Sequence, residues 1–122
     1  MSNLAKWVAV VGLVLTLGLT TVPAMAVDAD MTGTWEMEVV SASGTGNPIF
    51  TLTQDGKKIS GTYSGAFGDS PVKGKIKGDK FSLNFESSGV HLTYKGTVEG
   101  NNCKGTVIFG EYGNGEFTGV KK

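Results

Sequence analysis

From Gly33 onward apolar and polar residues alternate with a period of two, and Gly, Asn, Asp and Ser interrupt the alternation at short intervals. This is the pattern of strands that each bury one face. Gly33–Val40 sets Trp35, Met37 and Val39 against Thr34, Glu36 and Glu38. Pro48–Gln54 and Lys58–Ser64 follow, with Phe50, Leu52, Ile59 and Tyr63 in phase. The Asp55-Gly56 pair between them is a hairpin signal, because Gly accepts the positive φ of a tight turn. Pro71–Lys77 opposes Val72, Gly74 and Ile76 to Lys73, Lys75 and Lys77, and Lys80–Glu86 turns Phe81, Leu83 and Phe85 inward. Val90–Glu99 is the longest run, Asn102–Phe109 carries Cys103, Gly105, Val107 and Phe109 inward, and Glu116–Lys121 closes the series with Phe117, Gly119 and Lys121 in phase. The pattern predicts an all-β fold, an eight-stranded antiparallel up-and-down (meander) barrel, because closure removes both sheet edges and the exposed apolar face an open sheet would leave.

Within these strands a phrase recurs around Gly61, Gly74, Gly96 and Gly105, each on the inward phase. A strand Gly permits a sharp bend or the close approach of a large side chain, both of which a narrow barrel needs; the alternative is simply a weak strand. In an up-and-down barrel the connections alternate between the two ends. SASGTGN, GAFGDS, ESSG and GEYGNG then share one end, and only tight turns occupy the other. Loops on a rigid scaffold are where binding residues tend to sit. Phe67 and Tyr112 are aromatic residues in those loops, with Asn47, Asp69, Glu111 and Asn114 as polar neighbours. They serve either as a lid on the core or as a contact surface for a partner.

The first 26 residues depart from this pattern. Lys6 precedes an apolar run, Trp7–Leu19, and the segment ends in Ala24-Met25-Ala26, the arrangement of a cleavable secretory signal peptide. An uncleaved anchor is the alternative, although the run is shorter than the ~20 residues a membrane span needs. Cleavage after Ala26 would leave a short leader, residues 27–32, ahead of the barrel domain, residues 33–122, in a secreted or periplasmic protein without a stable membrane span. All 11 basic residues are Lys and face 11 acids, and the absence of Arg and of net positive charge argues against nucleic acid as a partner. The one Cys, Cys103, excludes an intramolecular disulfide, so the core alone must stabilise the fold.

The catalytic inventory is thin. The single His91 lies on the outward phase with no nucleophile beside it in sequence, and no His, Cys or carboxylate cluster has metal-ligand spacing. Neither enzyme activity, nor a metal, nor another cofactor is implied. The Lys73, Lys75 and Lys77 stripe serves either solubility and edge protection or attraction of an anionic surface polymer.

Gly33-Thr34-Trp35, at the start of the first strand, resembles the G-x-W signature of the calycin barrels (lipocalins, avidins and relatives). The resemblance implies that Trp35 closes the barrel floor and that a basic residue from the last strand, here Lys121, packs across it. The layout FTLTQDG, ISGTY, G, PV and G is also similar to a group of small exported bacterial domains without assigned function. An avidin-like biotin site does not carry over, because the exported chain would hold one Trp and its inward positions are almost wholly apolar. The expected function is that of a non-catalytic exported binding or interaction module. It would contact a partner protein or envelope component through its loop end. The alternative is a carrier of a small apolar, lipid-like ligand inside the barrel.

Overall fold

Nine strands form between Gly33 and Lys121 in the computed structural model of the protein, which describes residues 27–122. The expected signal peptide lies outside the described residues. The strands are β1 (Gly33–Ser41), β2 (Gly44–Gly46), β3 (Ile49–Asp55), β4 (Lys58–Gly65), β5 (Gly68–Lys77), β6 (Lys80–Ser87), β7 (Val90–Glu99), β8 (Asn102–Phe109) and β9 (Asn114–Lys121). From β3 to β9 each strand pairs antiparallel with the next. β1 pairs with β3 through Gly33↔Leu52 to Glu36↔Ile49, and on its other side with β9 through Trp35↔Lys121 to Ser41↔Gly115. That second pairing closes an eight-stranded meander barrel. The short β2 doubles back on the upper part of β1 as a ribbon outside the count.

The turns at one end are two residues long: Gly56-Lys57, Gly78-Asp79 and Gly100-Asn101. Each has Gly first with φ near +60°, the conformation a II′-type hairpin demands at that position. The first of these hairpins therefore turns one residue later than the Asp55-Gly56 pair suggests. We call this end the floor and the opposite end the mouth.

Two mouth connections are shorter than their composition predicts. β4 and β5 run on to the Gly65↔Gly68 pair, leaving only Ala66-Phe67 between them, and β6 and β7 are joined by Ser88-Gly89. The extra residues continue the alternation with serine on the inward phase. Ser70 and Ser87 are both buried, and their hydroxyls donate to the carbonyls of Glu86 and Phe67.

The interior is filled. Trp35, Phe50, Leu83, Leu92 and Val107 have no exposed surface. An aromatic column runs up the barrel through edge contacts of Phe50 with Tyr94 (5.0 Å) and Tyr63 (5.4 Å), with Phe85 packed on Tyr63 at 4.4 Å and Phe117 on Tyr94 at 5.1 Å. Gly96 shows why strand glycines accompany so many rings. A Cβ there would strike the Lys104 carbonyl oxygen of β8 and lie 2.9 Å from Cζ of Phe117. The close approach comes from neighbouring backbone as well as from a large side chain, and the wall bends sharply enough to close around a small lumen.

Candidate functional site

Each end of the barrel carries a distinct constellation. At the floor, Trp35 is fully buried and Lys121 places its ammonium 5.6 Å from the ring centroid, a cation–π arrangement. Gly33 makes room for it: the Lys121 stem passes 3.0 Å from where a Cβ at Gly33 would stand, and the backbone there has φ of 137°. The same ammonium donates to the Asp30 carbonyl at 3.1 Å.

The segment before β1, expected as a plain extended leader, plugs this end. Met31 is fully buried, its carbonyl accepts from Trp35 Nε1 at 2.9 Å, and its N–H donates to Gln54 Oε1 at 2.8 Å. Gln54 Nε2 in turn donates to the Ala29 carbonyl at 2.9 Å. Asp28 accepts from the Gly78 N–H at 2.7 Å and pairs with Lys57 at 3.0 Å. Those hydrogen bonds, the Gly78 one first, hold its carboxyl below the ordinary carboxylate value. This end is structural: every polar group named here has a partner within the fold.

The mouth differs. A cleft of ≈ 220 Å³ opens between the β1–β2 ribbon, the Ala66-Phe67 turn and the 3-10 turn Gly110–Tyr112 that joins β8 to β9. Apolar walls come from Val39, Pro48, Ala66, Phe67 and Phe109, and Tyr63 and Tyr94 line it from the core side. Phe67 is held in place by its own backbone. Its carbonyl accepts from Ser87 and Ser88, its N–H donates to the Tyr63 hydroxyl at 3.4 Å, and its ring packs 6.1 Å from Phe109. Tyr112 is the opposite case, 75 % exposed at the rim.

Burial raises the pKa of both phenols above the usual tyrosine value, so they stay protonated and able to donate. Tyr94 is only 1 % exposed, and among the described residues its hydroxyl makes no hydrogen bond. Lining the cleft, that hydroxyl is placed to donate to an acceptor that enters it. The arrangement suits an inserted apolar group that carries one hydrogen-bond acceptor.

Of the residues singled out from sequence, Phe67, Tyr112 and Asn47 come together on this cleft. Asp69 sits exposed on β5 opposite Ser64, Glu111 is exposed on the 3-10 turn, and Asn114 lines the outer wall beside Val40 and Ile108. Tyr63, Tyr94 and Phe109 join the cleft without having been singled out, since their alternation marks them only as core. Elsewhere, burial pushes the Cys103 thiol up to about 12, with Met37 Sδ 3.7 Å away. His91 lies on the outer surface 3.9 Å from Glu86. Among the described residues no three His, Cys, Asp or Glu side chains cluster as metal ligands, and no helix is long and apolar enough to cross a membrane. The chain matches no protein-family model and no curated protein.

Proposed function

We propose that the protein is an exported, non-catalytic binding module of calycin-like build. Its mouth cleft would receive an apolar side chain or similar small group of a partner protein or envelope component. The observation that carries this reading is the cleft itself: an apolar recess of ≈ 220 Å³ walled by a pinned Phe67, rimmed by a solvent-exposed Tyr112 and backed by the Tyr94 phenol, which has no hydrogen bond among the described residues. The calycin-like assignment is supported by Gly33-Thr34-Trp35 with Lys121 lying across the Trp35 ring.

The alternative, a carrier of a lipid-like ligand within the lumen, is less well supported. The aromatic column occupies the space such a ligand would need, and the cleft is smaller than the roughly 300–1,000 Å³ of typical small-molecule pockets.

The test is a comparison of wild type with the Phe67→Ala, Tyr112→Ala double variant. In pull-downs from an envelope extract, a partner captured by the wild type should be lost by the variant. An identical captured set would refute the site. Native mass spectrometry of the purified protein decides the alternative, since a co-purifying lipid mass would favour the carrier.

A further inference from the structure

The outer wall carries a charge asymmetry that the near-neutral sequence conceals. Lys58, Lys73, Lys75, Lys77, Lys95 and Lys104 occupy outward positions on β4, β5, β7 and β8, and none forms an ion pair among the described residues. The register packs them together. Lys58 stands directly opposite Lys75, Lys77 opposite Lys80, Lys75 and Lys95 flank Ser82, and Lys80 and Lys104 flank Thr97. Like charges directly opposite destabilise a sheet, and this wall holds two such pairs. No acid stands opposite Lys73, Lys75 or Lys77, and Glu36, Asp69, Glu86 and Glu99 lie on β1, toward the mouth or toward the floor. Asp55 stands opposite Lys58 and Asp79 lies 3.8 Å from Lys80, while Glu38 and Glu116 border the far side of the wall beside Lys80, Lys95 and Lys104. Between the lysines runs a shallow groove of ≈ 520 Å³ lined by Lys75, Lys77, Lys80 and Lys95.

We propose that this wall is a second binding surface, independent of the mouth, for a linear polyanion bearing repeated carboxylate or phosphate groups. Lysine positions whose backbones are about 5 Å apart across strands and about 7 Å apart along β5 suit a ligand with several anionic groups in series. Lysine suits such a ligand, acting as a point charge that needs no fixed planar geometry. A lipid surface fits less well, because Ile108, at the mouth end of β8, is the one exposed large apolar side chain on the strands of this wall among the described residues. A nucleic acid fits less well too, since this wall offers neither Arg nor an exposed aromatic ring for base stacking.

The test is fluorescence anisotropy of the purified protein with labelled polyuronate and labelled polyphosphate in separate arms, which distinguish the two anionic groups. Single-stranded DNA and phosphatidylglycerol vesicles are the comparison probes. At least one polymer should bind more tightly than either comparison probe, with affinity falling linearly in log salt. The Lys75→Gln, Lys95→Gln variant should bind about tenfold more weakly, with a salt slope shallower by roughly 0.7 per lysine removed. A charge-matched variant away from the wall, Thr51→Glu with Lys122→Gln, should bind like wild type. The proposal is overturned if neither polymer binds at about 50 mM salt. It is also overturned if both variants weaken binding equally, or if vesicles or DNA bind more tightly than both polymers.

Discussion

Met31 offers the sharpest test of how the barrel floor is built. It precedes the first strand, yet no part of it is exposed. Truncation to Ala removes three heavy atoms, and at about 0.8 kcal/mol for each methylene-sized group the transfer loss is ~2.4 kcal/mol. The vacated space, roughly 60 Å³ at about 24 cal/mol per Å³, adds ~1.4 kcal/mol if nothing collapses into it. The leader is a single segment that can sink part of the way, so the expected cost of Met31→Ala is about 3 kcal/mol. For a domain of this size that lowers Tm by on the order of 12–24 °C. The backbone carbonyl that accepts from Trp35 Nε1 survives the substitution, so the loss is one of packing. Trp35 is the one Trp after residue 26, and its fluorescence reports the floor directly in urea and thermal unfolding. Val27→Ala, at a position 91 % exposed, is the control and should leave stability unchanged. A Met31→Ala cost below about 0.5 kcal/mol would fall within the range of ordinary surface changes and would refute the view of the leader as a plug.

Four further outcomes follow from the same geometry. Gly96→Ala should cost at least ~2 kcal/mol through its collision with Lys104 and Phe117, whereas Gly46→Ala, with nothing within 4 Å of the added Cβ, should stay within about 0.5 kcal/mol of wild type in urea titration. Lys121→Met keeps the stem over Trp35 and removes the charge; it should lower stability by about 0.5–1 kcal/mol and alter Trp35 emission. Because the folded carboxyl of Asp28 titrates below its ordinary value of 3.8, its contribution is present above that pH and lost as pH falls beneath it. Asp28→Asn should therefore reduce the drop in Tm between about pH 5 and pH 2.5 relative to wild type. Cys103 should resist a thiol reagent at about pH 8 in the native protein and react fully once unfolded, as a buried thiol held near 12 requires.

How much of this was legible in the chain differs by end. The strands and the meander follow from period-two alternation, which is local in sequence, whereas the Trp35–Lys121 pair was expected only from the resemblance of Gly33-Thr34-Trp35 to the calycin signature. Met31 was not legible, because no alternation extends across residues 27–32 and its burial depends on Gln54 from the β3–β4 hairpin reaching back to it. At the mouth, Ser70 and Ser87 disguised the start of β5 and the end of β6. A serine on the inward phase reads as a loop residue until its hydroxyl finds a carbonyl across the wall, and that partner is set by tertiary structure. The cleft was half visible: Phe67, Tyr112 and Asn47 stand out as loop residues. Tyr63 and Tyr94 look like core and become cleft only because the aromatic column stops short of the mouth.

That stopping point connects the architecture to the proposed site. Floor polar groups are partnered within the fold, with Gln54, Asp28 and the Met31 backbone all engaged, so little is left there for a ligand to satisfy. Of the two phenols of the column that line the cleft, Tyr94 has no hydrogen bond among the described residues, and three hydrogen bonds from Tyr63, Ser87 and Ser88 fix Phe67 beside it. A turn held this firmly beside an unpartnered donor is preorganised, and preorganisation lowers the ordering cost of binding. If the cleft only capped the core, Tyr94→Phe would remove an unpaired polar group and stabilise the protein with no other effect. If the cleft binds, the same variant should be at least as stable as wild type yet lose the partner captured through Phe67 and Tyr112. A Tyr94→Phe protein that is more stable and retains the full captured set would leave the phenol without a role in binding.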